Sequence, residues 1–131
     1  MKVRQIDVDR GVAFGDGSLT FVAGPCVIES RRMALDLAAR LVETANELSV
    51  NYVFKASFDK ANRTSVDSFR GPGIDAGLDI LAEIRETSAV PVLTDVHEPW
   101  QCARVAGGAS GATTTSAFAP VSSAAGSRLP A

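Results

Sequence analysis

The chain has 131 residues, 46% of them hydrophobic and 21% charged, a balance that suits a soluble globular protein with a buried core. A formal net charge of −2 gives no electrostatic reason to expect nucleic acid or an anionic membrane as partner, and no apolar run approaches the length of a membrane span. Two cysteines are too few for a disulfide framework, and without an apolar signal-peptide core the expected location is the cytoplasm.

Residues 3–8 alternate weakly through Val3, Ile6 and Val8, and Asp16-Gly17 favours a tight turn before the run Leu19 to Ala23. Thr20–Ala23 reads as a strand that ends at Gly24-Pro25. Ser30 is placed to cap a helix in which Met33, Leu37, Leu41, Ala45 and Leu48 recur at helical spacing, with Ala38 and Val42 widening the stripe. Val50–Phe54 is the next strand, and a polar run from Lys55 to Ser65 follows it. Gly71-Pro-Gly73 marks a loop before a second helix with Ile74, Leu78, Leu81 and Ile84 on one face. Val90–Thr94 reads as a third strand, with Pro91 at its start where a missing N–H is tolerable. Pro99 suits the first turn of a third helix reaching to about Val105.

This β-α-β-α-β-α order implies parallel strands joined by right-handed crossovers. A doubly wound sheet and a (β/α)8 barrel both begin this way, and periodicity does not separate them. The polar residues are more telling, because Cys26, Lys55 and Asp95 each fall at or just past the C-terminal end of a strand, where barrel enzymes build their sites. Residues 107–131 hold nineteen Gly, Ala, Ser or Thr residues and two prolines, with Phe118, Val121 and Leu129 as the larger apolar groups. Such a segment cannot bury enough surface to offset its ordering entropy, so it is expected to be a disordered, low-complexity tail, of the kind a reading-frame shift would produce.

Chemistry concentrates in three places. Lys55, Lys60, Asn62, Arg63 and Thr64 set cations, an amide and a hydroxyl just beyond a strand, a composition suited to phosphate and sugar oxygens. Taken singly, a Lys or Arg at such a place is ordinarily a solvated surface residue. Cys26 follows the Gly24-Pro25 turn; a lone cysteine beside a strand is more often a small buried hydrophobe, whereas as a thiolate it suits a soft or borderline divalent ion. Asp95 and His97, the only histidine, close the third strand. Cys102 has no partner in the sequence and is assigned no role.

Ala23-Gly-Pro-Cys-Val-Ile-Glu-Ser30, the run Lys55 to Ser65 and Leu93-Thr-Asp-Val-His-Glu-Pro99, in this order, resemble the 3-deoxy-D-manno-octulosonate 8-phosphate synthase family over roughly residues 3–106. The resemblance implies the N-terminal part of a (β/α)8 TIM barrel, about three βα units within residues 1–106, followed by the irregular tail. It implies an aldol-type transferase that joins phosphoenolpyruvate to D-arabinose 5-phosphate and releases phosphate, a step towards the lipopolysaccharide core sugar. In the family, lysines at the positions of Lys55 and Lys60 contact phosphoenolpyruvate. The residues matching Asn62, Arg63 and Thr64 (commonly a serine) bind arabinose 5-phosphate, the arginine reaching across a subunit boundary of a homotetramer. Lys60 and Asp95 are the implied catalytic residues, with His97 beside them.

Members with cysteine at the position of Cys26 are metal-dependent and those with asparagine are not, so Zn, Fe or Mn is expected, with further ligands from later strands. The partners implied are the two phosphorylated substrates and further copies of the chain, with no nucleic acid and no membrane. A complete barrel needs about 200 residues or more, so a truncated form is expected, and a non-catalytic remnant is the alternative reading. The related synthase that uses erythrose 4-phosphate shares the Gly-Pro-Cys turn but differs in the run after the second strand.

Overall fold

The computed structural model describes residues 3–61 and 65–107. Asn62, Arg63, Thr64 and the tail beyond residue 107 lie outside the described residues, and with them the expectations placed on that loop and tail. The architecture is α/β. A hairpin of β1 (Ile6–Asp9) and β2 (Val12–Phe14) precedes β3 (Thr20–Ala23), α1 (Arg31–Glu47), β4 (Asn51–Lys55), α2 (Ile74–Ser88), β5 (Val92–Leu93) and α3 (Pro99–Gly107). Strands β3, β4 and β5 form a parallel sheet in that order.

The parallel sheet and its helices follow the expected alternation, with strand ends moved by their partners. The second strand runs Asn51–Lys55 rather than Val50–Phe54, because Lys55 pairs with Leu93 at the end of the ladder. The third is cut to Val92–Leu93. Pro91 accepts from the Phe54 amide at 3.0 Å but has no N–H to return, so the ladder begins one residue later.

The hairpin has no counterpart in the expected elements. Its turn lies at Arg10-Gly11, both with positive φ (48° and 77°), the backbone that the strand twist favours in two-residue hairpins. A bidentate pair fastens it to α2: Arg85 donates to both carboxylate oxygens of Asp9, at 2.7 and 3.1 Å. That pairing raises the Arg85 guanidinium above its ordinary value against the opposing effect of burial; the Glu86 carboxylate adds a smaller upward effect.

Ser30 caps α1 by accepting the Met33 amide at 3.2 Å, and Ala34, Ala38 and Ala45 let the helix lie close on the sheet. Alternation along β4 decides which side chains enter the core. Tyr52, Phe54 and Ala56 pack with Ile28, Ile80, Leu81, Ile84 and Val92 in one apolar cluster. The intervening Lys55 and Ser57 are thereby left to the other side of the sheet. A smaller cluster of Phe58, Leu78 and Val105 seats α3 against the loop after β4. On the outer strand β3, Phe21 and Val22 remain 49% and 45% exposed.

Candidate functional site

The C-terminal edge of the sheet is where the polar residues converge. At Gly24 a Cβ would stand 1.9 Å from the carbonyl oxygen of Lys55, so only glycine lets β3 and β4 meet this closely. Past that contact, Val27 bridges Ser57, and the Ile28 amide donates to the Ser57 carbonyl at 3.0 Å. Cys26 lies between these two contacts with its side chain exposed. It therefore occupies the same edge as Lys55.

Lys55 and Asp95, expected as separate site residues, form one cluster. The Lys55 ammonium donates to the Ser57 hydroxyl at 3.0 Å and lies 3.5 Å from Asp95 Oδ1. The Ser57 hydroxyl donates in turn to the same Oδ1. The other oxygen, Oδ2, faces His97 Nε2 at 3.3 Å, and that nitrogen also contacts the Asp59 carbonyl at 2.7 Å. Side-chain exposures of 34% for Lys55, 25% for Asp95 and 23% for His97 leave the cluster reachable but partly shielded, which strengthens each charge interaction relative to water.

The loop after β4 is tied down twice. Lys60 donates its amide to the Arg70 carbonyl at 2.6 Å, and the Arg70 guanidinium forks onto both oxygens of Asp59 at 2.6 and 3.1 Å. Hydrogen bonding to Asp59, then its charge, raises the Arg70 guanidinium above its usual value. Gly71 closes the loop at a φ of 124°, where a Cβ would meet the Phe58 carbonyl at 2.3 Å. Half-buried Lys60 is thus fixed by its main chain near the cluster, and among the described residues its ammonium has no ion-pair partner.

Chemically, the arrangement offers the Lys55 ammonium beside a carboxylate whose two oxygens are steered by different donors. An exposed thiol at this edge can serve as one metal ligand, but among the described residues no three of His, Cys, Asp or Glu stand close enough to hold an ion. The described residues therefore do not form a metal site by themselves. Cys102 is exposed on α3, with no function evident from its surroundings.

Three contributors were not singled out in the sequence: Ser57, the Asp59–Arg70 fork and Gln101, whose side-chain oxygen accepts the amides of His97 and Glu98. Ser57 follows Lys55 by two residues, the spacing that returns a side chain to the same face. Gln101 follows Glu98 by three, the capping-box spacing.

A model of the DAHP synthetase I family matches residues 3–131. The chain belongs to that family. Its similar curated relatives are named 2-dehydro-3-deoxyphosphooctonate aldolase, which is another name for the synthase that the motifs resemble. The protein of Francisella tularensis subsp. novicida is 50% identical over 106 residues, covering 81% of this chain and 37% of the relative. That of Stenotrophomonas maltophilia is 59% identical over 83 residues, covering 63% and 30%. That of Fusobacterium nucleatum is 46% identical over 104 residues, covering 79% and 37%. The chain thus spans about a third of the length of the relatives it matches.

Proposed function

We propose that this segment supplies the phosphoenolpyruvate-binding edge of a 3-deoxy-D-manno-octulosonate 8-phosphate synthase, built as the first three βα units of a (β/α)8 barrel. The observation that carries the reading is the Lys55–Ser57–Asp95–His97 cluster on adjoining parallel strand ends. β3 is an edge strand of the three-stranded sheet, and that edge suits a further strand alongside it. The family is described by the name of a DAHP synthetase, whereas the relatives at 46–59% identity are named for the octulosonate enzyme, which favours arabinose 5-phosphate over erythrose 4-phosphate as co-substrate.

In this reading the enol π pair of phosphoenolpyruvate forms the bond from its carbon 3 to the aldehyde carbon, whose oxygen takes up a proton. Water adds at carbon 2 and gives up a proton. The bond from carbon 2 to the phosphate oxygen then breaks, and phosphate leaves with the electron pair. Lys55 and Lys60 hold the phosphoenolpyruvate anion in attack geometry, and Asn62, Arg63 and Thr64 hold the sugar phosphate. Asp95, kept between Lys55 and the His97 N–H, is the group placed to exchange the proton. The product would serve lipopolysaccharide synthesis, in the cytoplasm and in a homotetramer. No described helix is long and apolar enough to cross a membrane.

The test is a chimera in which residues 1–106 replace the matching part of the Francisella relative. Phosphate release that requires both phosphoenolpyruvate and arabinose 5-phosphate is the expected result. Lys60→Ala should impair phosphoenolpyruvate, and Arg63→Ala should impair arabinose 5-phosphate. A folded chimera that prefers erythrose 4-phosphate, or turns over neither sugar, refutes the reading. The isolated 131-residue chain is expected to release no phosphate, as a non-catalytic form would.

A further inference from the structure

Gln101 stands at the third position of α3, from which a glutamine in a capping box reaches back to the amide just before the helix. Its side-chain oxygen makes that bond to the Glu98 amide at 3.2 Å. The shorter bond, at 2.7 Å, goes to the amide of His97, one residue further from the helix than a cap requires. Gln101 is only 6% exposed, so little water competes for this acceptor.

The held residue is the one whose ring spans the site. His97 Nε2 faces two atoms that only accept, the Asp59 carbonyl at 2.7 Å and the Asp95 carboxylate at 3.3 Å. A bare nitrogen would oppose its lone pair to theirs, so the ring proton sits on Nε2, and Nδ1 is left to accept or to take a second proton. Both contacts depend on where the main chain at 97 places the ring.

We propose that Gln101 is a positioning residue of this site. By holding the amides of His97 and Glu98, it keeps the imidazole in its Nε2–H form as a bridge between the Asp59 carbonyl and the Asp95 carboxylate. The bridge in turn keeps Asp95 turned with its other oxygen towards Ser57 and Lys55. This deepens the functional reading above and rests on it, but its test follows the ring proton rather than turnover.

His97 is the only histidine of the chain, so the full chain labelled with ¹³C,¹⁵N-histidine gives a single imidazole spin system. With the ring neutral, the wild-type protein is expected to show a protonated Nε2 and an unprotonated Nδ1. Gln101→Met keeps the length of the side chain but removes the acceptor; it should shift population to the Nδ1–H form and speed exchange of the His97 amide about tenfold, the factor expected for loss of one ordinary hydrogen bond. Gln101→Asn, one methylene shorter, should do the same, while Gln101→Glu keeps an acceptor oxygen and should match wild type. Fast-averaging tautomers in the wild-type chain overturn the proposal without any variant. A Gln101→Met or Gln101→Asn protein that retains the wild-type ring pattern while α3 frays makes Gln101 a helix cap only, and also overturns it. An inactive chimera with an intact Nε2–H signature would refute the proposed reaction and leave this inference standing.

Discussion

Alanine at position 24 asks whether the close approach of β3 to β4 builds the site. An ideal Cβ there lies 1.9 Å from the Lys55 carbonyl oxygen, 2.9 Å from its carbon and 3.2 Å from its nitrogen. Ordinary contact begins at 3.4 Å, so the two backbones must part by about 1.5 Å. The atoms met are main chain, with no rotamer to yield. Gly24 does not have a positive φ, so the cost is steric alone. Overpacking costs about 1–3 kcal/mol, and without a side chain to move the upper end, about 3 kcal/mol, is expected. Gly17 is the control, since at a φ of +88° its Cβ would meet nothing within 4 Å. Gly17→Ala therefore isolates the left-handed penalty, about 1–2 kcal/mol. Urea unfolding followed by circular dichroism ranks the two variants. The same displacement pushes on the strand that carries Lys55 and Ser57, and a shift of this size costs roughly 100-fold in rate in the chimera. A Gly24→Ala protein with the wild-type urea midpoint, or one that loses less than Gly17→Ala, refutes the argument.

Burial lifts the Tyr52 phenol from 10.0 to about 12. The folded chain then holds this proton more tightly than the unfolded chain does, so stability from Tyr52 is whole below about pH 10 and is lost as pH rises from about 10 to about 12. Tyr52 is the only tyrosine, so its ultraviolet ionisation can be read beside the urea midpoint. Tyr52→Phe should flatten that alkaline fall while giving up the 2.7 Å bond to the Ala23 carbonyl, about 1 kcal/mol at neutral pH; an unchanged fall in Tyr52→Phe would assign it to other groups. Cys26→Ser in the chimera tests the metal-dependent reading. Metal content by elemental analysis and activity restored after chelation should both drop at least about 10-fold, since losing a ligand costs no less than the roughly 10–100-fold seen when a group that orients one is lost. Full turnover in a metal-free wild-type chimera would remove the metal from the reaction.

What could be read along the chain was what local chemistry determines. Gly24-Pro25 ends β3 and Ser30 starts α1 because a turn and a cap act over a few residues, and both ends were found where expected. The ends of β4 and β5 moved because a strand stops where its neighbour stops donating, which at Pro91 depends on the pairing rather than on the run of residues. The β1–β2 hairpin was hidden for a stronger reason. Its turn places an arginine at positive φ, and the ion pair that holds it joins Asp9 to Arg85, 76 residues away.

The site divides in the same way. Lys55, Lys60, Asp95 and His97 were visible because a charge or an imidazole at a strand end is informative by type alone. Their orientation comes from a hydroxyl, a main-chain carbonyl and a glutamine, groups common enough that type says little. Only spacing could have raised them: two residues from Lys55 to Ser57, and three from Glu98 to Gln101. The loop of Arg70 shows why such groups matter, since its guanidinium is committed to Asp59 while its carbonyl holds the Lys60 amide. A substitution at Arg70 should therefore act through the position of Lys60, and conservative exchange to lysine, which cannot fork onto both Asp59 oxygens, should not preserve it.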